Sequence, residues 1–124
     1  MAKATFDETV LAGVWDWILD ASHEVDALVA VDDGGSLVGF AHYRRQADTF
    51  TAAIGWTLDD LYVAPDARGG GAATALIDAV ASAASAAGGG TLRWITAKDN
   101  STAQRVYDRI ATRATWVTYE KELD

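Results

Sequence analysis

The chain has 124 residues, a length that fits one domain with its own hydrophobic core. Its composition, 50% hydrophobic and 23% charged, is typical of a soluble globular protein. The absence of cysteine excludes disulfides, thiolate zinc sites and a cysteine nucleophile. The net charge of −8 argues against nucleic-acid binding, which needs a positive surface. We therefore interpret residues 1–124 as a single domain.

Membrane and metal binding are also not expected. No apolar run approaches the ~20 residues of a membrane span, and Met1–Thr5 lack the pattern of a signal peptide. A cytoplasmic protein without membrane contact is the resulting expectation. His23 and His42 are the only histidines and stand far apart, so we expect no metal site.

The first elements are predicted to be a helix and a hairpin. Thr5 and Glu8 fit a capping box, and apolar residues then recur at helical spacing through about Ala21. The runs Ala27–Val31 and Leu37–Tyr43 are typical of strands, and the Asp-Gly-Gly turn between them predicts a hairpin.

The middle of the chain is predicted to contain a loop, a strand and a helix. Residues 46–53 are polar and loop-like, and Ile54–Val63 has the pattern of a second long strand. Residues 72–87 are rich in alanine, the best helix former, and lack proline and glycine. Three glycines at residues 88–90 are expected to end this helix.

The last part is predicted to run strand, helix, strand. Thr91–Ala97 is typical of a buried strand, Asn100–Ile110 of a helix that begins at Asn100 and Ser101, and Thr115–Leu123 of a final strand. Such mixing of helices and strands predicts an α/β fold, with helices on the faces of one sheet.

The strongest local signal is a glycine-rich loop between a strand and a helix. Pro65 closes the strand, and Arg68 precedes Gly69, Gly70 and Gly71 at the helix start. Glycines let the backbone approach a ligand, and the free N–H groups of a helix start suit phosphate. The loop is neither a Walker loop nor the dinucleotide fingerprint. Taken alone, it is equally compatible with a plain flexible turn.

Two motifs surround this loop. The first is Leu61-Tyr62-Val63-x-Pro65-x-x-Arg68-x-x-Gly71-x-Ala73. The second is Trp94-Ile95-Thr96 followed by Asn100-x-x-Ala103-x-x-Val106-Tyr107-Asp108. The first resembles the acyl-CoA-binding motif of the GNAT superfamily of N-acetyltransferases, and the second resembles that family's following segment. The resemblance covers roughly residues 27–122, and residues 58–63 also resemble the diamine and polyamine subgroup.

The resemblance implies a mixed, mostly antiparallel sheet with helices on both faces, and acetyl-CoA as co-substrate without a metal. It implies that backbone groups of Leu61 and Val63, on either side of Tyr62, hold the pantetheine arm, with a further hydrogen bond from Asn100. It also implies a pyrophosphate site made by the loop and helix start, where Arg68 adds charge: Arg68, Gly69, Gly70, Gly71, Ala72, Ala73 and Thr74.

The resemblance further implies that Tyr107 lies near the thioester sulfur and acts as general acid while an amine attacks the carbonyl. Tyrosine has a reference pKa of ~10 and a thiol one of ~8.5, so partial proton donation in the transition state is adequate. A core or surface tyrosine on a helix is the plain alternative.

The base is expected among two acids in the middle of a strand, where acids are disfavoured. A protonated amine must lose a proton before it attacks. Asp59 is the first candidate, because related amine acetyltransferases carry a similar group at what looks like its position. Asp60 is the second candidate for the base, and it is also expected to bind the cationic substrate. Strand alternation puts the two on opposite faces. Strand-end acids that bind loop N–H groups are the alternative.

Four tryptophans carry specific expectations. Trp56 is a candidate wall of the acceptor site, because an aromatic face suits a cation. Trp15 is a second candidate, and core packing is equally compatible with both residues. Trp94 and Trp116 are predicted to lie in the core.

Compared with the family, the chain looks shortened at its N-terminus. Members usually have a strand and a helix ahead of the element at residues 6–21, whereas only Met1–Thr5 precede it here. The strand at residues 27–31 would then be an exposed sheet edge, and such edges pair with other chains. We therefore expect a homodimer, with a truncated or mis-started chain as the competing explanation.

The expected function is acetyl transfer from acetyl-CoA to a primary amine, in particular a small cationic amine. The alternative is a catalytically degenerate acyl-CoA-binding module that acts as a sensor or partner subunit. A purely structural α/β domain would fit the folding pattern but would leave both motifs as coincidences.

Overall fold

The computed structural model describes residues 15–20, 24–69 and 71–124. Residues 15–19 are helical, as predicted, and the capping box at Thr5 and Glu8 lies outside the described residues. The further elements are β1 (Val25–Val31), β2 (Leu37–Asp48), β3 (Ala53–Val63), a 3₁₀ turn (Pro65–Ala67), α1 (Ala72–Ala86), β4 (Leu92–Arg93) and α2 (Ser101–Ile110).

The four described strands form one sheet in the order β1-β2-β3-β4. Strands β1, β2 and β3 pair antiparallel, whereas β4 pairs parallel to β3 after the chain has passed through α1. The prediction of a mixed, mostly antiparallel sheet is therefore confirmed. In the described part of the chain, β1 and β4 are the outer strands.

The core lies between the sheet and one face of α1. Alternation along β2 places Ala41 and Tyr43 on this face. The alanine-rich helix contributes a stripe of larger apolar side chains, of which Val80 is fully buried. Burial of each such side chain stabilises the fold by roughly 1.5–3 kcal/mol. The remaining buried residues of this cluster are Trp56, Leu58, Leu76, Ile77 and Ala84.

The loop predicted at residues 46–53 is largely strand. Strand β2 continues to Asp48 and β3 begins at Ala53, so only a tight turn remains between them. Gln46 pairs with Gly55 in this extension. The sequence did not indicate this extension because its residues are polar. Two strands that extend beyond the core are held together by backbone hydrogen bonds and need no apolar pattern.

The two strands predicted last are shorter than expected or absent. Of Thr91–Ala97, only Leu92 and Arg93 pair with β3. The final strand predicted at Thr115–Leu123 is wrong, since residues 112–124 contain no strand. Trp116 is 79% exposed, so its predicted core position is wrong as well. A β-rich composition forms a strand only where a partner strand is available, and none of the described strands pairs with this segment.

A β-bulge interrupts β3 at Asp59. His42 lies opposite Asp60 and Tyr43 lies opposite Leu58, so Asp59 is the extra residue. The side chains on either side of Asp59 in the sequence therefore no longer alternate between the two faces of the sheet as they would in a regular strand.

Candidate functional site

Strands β3 and β4 separate after a short parallel pairing. Trp56 pairs with Leu92 and Thr57 with Arg93, and the described pairing stops there. Beyond this point a cavity of about 370 Å³ opens between residues 58–61 of β3 and residues 94–97. Asn100 and Tyr107 complete its wall. We call this space the smaller cavity.

A second, larger cavity of about 730 Å³ lies between the end of β3, the glycine-rich loop and α2. Leu61, Asn100 and Tyr107 line both cavities, so the two spaces meet at these side chains. With the exception of Tyr62, every described residue of the predicted cofactor set lines the larger cavity: Leu61, Val63, Arg68, Gly69, Gly71, Ala72, Ala73, Thr74, Asn100 and Tyr107. Gly70 lies outside the described residues.

The glycine-rich loop turns through left-handed backbone conformations. Gly69 has a φ of 87° and Gly71 a φ of 84°, values that residues with a side chain rarely adopt. A Cβ built on either glycine meets no atom within 4 Å. The loop therefore needs glycine for its path and leaves open space beside its backbone.

Helix α1 begins in this space without a side-chain cap. Gly71 is the N-cap and provides no side-chain hydrogen bond. The first intrahelical bond runs from the N–H of Ala75 to the carbonyl of Gly71 at 3.0 Å, so the N–H groups of Ala72, Ala73 and Thr74 have no acceptor within the helix. These donors and the helix dipole favour an anion in the larger cavity.

Two arginines add positive charge to the larger cavity. The Nε of Arg68 donates to the carbonyl of Val63 at 3.0 Å, which fixes the side chain across the loop. Arg109, in the last turn of α2, lines the same cavity. Sequence reasoning missed Arg109, because only the fold brings the end of α2 beside the loop.

The wall between the cavities is fixed by the start of α2. Asn100 is the N-cap, and its Oδ1 accepts a hydrogen bond from the N–H of Ala103 at 3.2 Å. Gln104, which sequence reasoning also missed, donates through Nε2 to the carbonyls of Ala97 at 3.0 Å and Lys98 at 2.8 Å. These bonds hold the segment before α2 in place and leave the amide N–H groups of Asn100 for another acceptor.

Tyr107 occupies the junction of the cavities. Its ring packs edge-on against that of Trp94, with centroids 5.5 Å apart, and both rings pack against the core. Burial raises the pKa of the Tyr107 phenol above its ordinary value of 10.0. The side chain is therefore protonated at neutral pH and can donate a proton at this point.

Asp59 and Asp60 lie on the same face of the sheet, and the prediction that they face opposite ways is wrong. The Oδ2 of Asp60 lies 3.2 Å from Nδ1 of His42, and the Nε of Arg44 donates to Oδ2 of Asp59 at 2.9 Å. His42 and Arg44 stand two residues apart on β2 and share the face opposite α1, since Tyr43 between them is buried under that helix. The bulge turns Asp59 toward this face, and both acids line the smaller cavity.

The remaining aromatic candidates lie elsewhere. Trp56 is 4% exposed, and its Nε1 donates to the carbonyl of Gly89 at 2.8 Å. It lines neither cavity, so we assign it to the core and leave it out of the acceptor site. Tyr62 stacks on Phe40 with ring centroids 5.5 Å apart. Trp15 is 58% exposed on the helical segment 15–19.

The described part of the chain contains neither a cluster of metal ligands nor a helix that could span a membrane. No group of three or more histidine, aspartate or glutamate side chains there is arranged to hold a metal ion. His23 lies outside the described residues. None of the described helices combines the length and the apolar character that crossing a bilayer requires.

Comparison with known proteins identifies relatives along most of the chain. The acetyltransferase (GNAT) family model matches residues 3–111. The D-amino-acid N-acetyltransferase HPA3 of Saccharomyces cerevisiae is 32% identical over 95 residues, which are 77% of this chain. The match spans only 59% of that relative's length.

Solved structures show the same fold. The ribosomal-protein-alanine N-acetyltransferase of Brucella melitensis superposes with a TM-score of 0.73 at 30% identity, over 83% of this chain and 74% of the other. The structure of a probable acetyltransferase has a TM-score of 0.83 at 23% identity, over 98% and 82% of the two chains.

Proposed function

This chain belongs to the GNAT family of acetyltransferases, and from this premise we propose that it transfers the acetyl group of acetyl-CoA to the primary amine of a small cationic molecule. The observation that carries the proposal is the junction of two cavities at Leu61, Asn100 and Tyr107. The larger cavity has the donors that a phosphate needs, and the smaller one has carboxylates. A thioester donor and an amine acceptor can therefore meet beside Tyr107.

The residues of the larger cavity fit acetyl-CoA, which supplies an activated thioester carbonyl. We assign the free N–H groups at the start of α1 to the pyrophosphate, with charge from Arg68 and Arg109. Backbone groups of Leu61 and Val63 hold the pantetheine arm, and the amide N–H groups of Asn100 bind it. The open space beside Gly69 and Gly71 lets the phosphates approach the backbone.

Direct attack then needs one proton donor and one proton acceptor. The amine nitrogen forms a bond to the acetyl carbon, the carbon–sulfur bond breaks, and Tyr107 donates its proton to the leaving thiolate. The nitrogen loses its second proton to water as the amide forms, and a proton from solvent restores the phenol. A backbone N–H of β3 stabilises the oxyanion that develops on the carbonyl. The raised pKa of Tyr107 keeps the proton in place at neutral pH but makes the phenol a weaker acid, so partial donation in the transition state is what the role requires.

The proton acceptor is one of the two carboxylates of the smaller cavity. We propose that Asp59 receives the ammonium proton through water and that Asp60 binds the cation. A direct comparison of Asp59→Asn and Asp60→Asn distinguishes the base from the residue that binds the cation. Loss of turnover with normal substrate affinity identifies the base, and loss of affinity identifies the binding group.

The test is calorimetric titration with acetyl-CoA followed by thiol release with a panel of amines. The panel contains diamines and polyamines, and also amino acids because the yeast relative acts on D-amino acids. Binding together with amine-dependent thiol release supports the proposal. Binding without release from any amine favours an acyl-CoA-binding module, and the absence of binding overturns the cofactor site.

We also propose that the chain forms a homodimer through β1. This strand is an outer strand of the described sheet, and Val29 and Val31 on it are 59% and 52% exposed. Exposed strand edges carry unpaired backbone groups that pair with another chain. Light scattering at micromolar concentration tests this, and a purely monomeric species contradicts it.

A further inference from the structure

The acids of the smaller cavity are compensated by basic side chains. Arg44 lines neither cavity, but it is 35% exposed and pairs with Asp59, which lines the smaller cavity and is 32% exposed, so a ligand that extends past Asp59 can reach both. Asp60 is 55% exposed and pairs with His42. The two acids stand out in the sequence, whereas only the pairing of β2 with β3 brings His42 and Arg44 beside them.

We call His42, Arg44, Asp59 and Asp60 the charged cluster. It presents both positive and negative charge to a ligand. Arg44 neutralises Asp59, and His42 neutralises Asp60 whenever its ring is protonated. The β1 residues opposite His42 and Arg44 are Ala27 and Val25, so β1 adds no charge on this face. A site of this kind does not match a diamine, because Arg44 would repel a second ammonium group.

Arg44 has hydrogen-bond donors left for a ligand. A guanidinium carries five N–H donors, of which one binds Asp59 at 2.9 Å and another reaches Oε1 of Gln46 at 3.4 Å. The remaining donors suit a carboxylate, which guanidinium groups bind with fork-shaped geometry. Asp60, which lines the smaller cavity with Tyr107, suits an ammonium group.

We propose that the acceptor is a zwitterion of the amino-acid type, with a carboxylate close to the amine that is acetylated, and that Arg44 selects it. The inference rests on the proposed acetyl transfer and replaces its small cationic acceptor with a zwitterionic one. The carboxylate binds Arg44 while the ammonium group binds Asp60 before it loses its proton. Arg44 is thus a specificity-determining residue.

The experiment compares acceptors that differ only by the carboxylate. Both enantiomers of alanine are set against ethylamine, and both enantiomers of phenylalanine against 2-phenylethylamine, with thiol release from acetyl-CoA as the readout. We expect kcat/KM for the better amino acid of each pair to exceed that of its amine about tenfold or more, as a charged hydrogen bond provides.

Variants of β2 then test the role of Arg44. Arg44→Gln should lower the ratio of amino-acid to amine kcat/KM about tenfold or more, and Arg44→Lys should restore part of it. Arg45→Gln is the matched control, because Arg45 is the next residue and exposed, and alternation points it to the other face. It should leave the ratio unchanged.

The outcomes separate this inference from the proposed function. Preference for the plain amines, or a ratio that Arg44→Gln does not change, overturns the inference and leaves amine acetylation standing. Acetyl-CoA binding without thiol release from any acceptor overturns the proposed function. In that case an NMR titration with alanine and ethylamine decides the inference: alanine binding that Arg44→Gln abolishes supports it, and equal or absent binding overturns it.

Discussion

Trp94 and Tyr107 meet edge to face, with ring planes at 76° and centroids 5.5 Å apart. This contact joins the segment after β4 to the middle of α2, and both residues line the smaller cavity that opens where β3 and β4 separate. It holds the phenol at the junction of the two cavities, where donor and acceptor are proposed to react. The positions of both cavities therefore depend on a packing contact outside the charged groups.

Tyr107→Phe should lower kcat about a hundredfold, because it removes the proton donor of the leaving thiolate. Acetyl-CoA affinity should stay nearly unchanged, since the ring and its contact with Trp94 remain. Steady-state kinetics and calorimetry on the same preparation measure the two quantities. Unchanged turnover would reject the acid role.

The pH profile should carry the signature of the same residue. Burial raises the Tyr107 pKa, so the phenol keeps its proton through neutral and mildly alkaline pH. The rate that depends on this proton should fall only as pH rises above about 10. Tyr107→Phe should lack this fall, while circular dichroism reports that the fold persists. A fall below about pH 9 that vanishes in Tyr107→Phe would contradict the raised pKa.

Gly71→Ala should weaken acetyl-CoA binding, because a side chain enters the space proposed for the phosphates. Gly35→Ala is the matched control. Gly35 has the same φ of 84° and also has open space at its Cβ position, but it lies in the β1–β2 turn away from both cavities. Both variants should lose about 1 kcal/mol of stability from backbone strain. Equal acetyl-CoA affinity in the two variants would argue against the phosphate cradle.

Arg109→Gln should weaken acetyl-CoA binding about tenfold and reduce its dependence on salt, because one cation of the larger cavity is lost. Arg105→Gln, one turn earlier on α2, removes the same charge from an exposed residue that does not line the cavity. Calorimetry at low and high salt distinguishes them. Similar losses in both variants would show that only the net charge of α2 matters.

Stability should fall at alkaline pH through Tyr43. Burial and the nearby Asp26 carboxylate raise the Tyr43 pKa above its unfolded value of 10.0. The neutral phenol's contribution is thus complete below about pH 10 and is lost as pH rises through the folded pKa. Urea midpoints at about pH 8 and 10.5 measure this fall, which Tyr43→Phe should reduce. An equally steep fall in Tyr43→Phe would assign it to other groups.

Local sequence signals predicted the parts of the site that local chemistry determines. The alanine run predicted α1 with an error of one residue at its C-terminal end. Asn100 is the N-cap of α2, a position that asparagine side chains favour. The positive φ angles of Gly69 and Gly71 explain why glycine stands there. These features depend on backbone conformation over a few residues.

The parts that sequence could not predict depend on pairing between distant segments. The bulge at Asp59 is one extra residue in the register of β3 against β2, and no local pattern marks it. Its consequence, the partnership of Asp59 with Arg44, was missed for the same reason. The alternating polar residues along β2 were the only sequence signal of this partnership. The segment 115–123 shows the converse, since strand composition without a strand partner gave no strand.

Thiol release from acetyl-CoA, measured with and without amine for the wild type and for Tyr107→Phe, is the direct test of acetyl transfer beside Tyr107. We expect release that requires an amine, occurs in the wild type and falls about a hundredfold in the variant. Binding of acetyl-CoA to the wild type without amine-dependent release would contradict the claim that donor and acceptor react beside Tyr107.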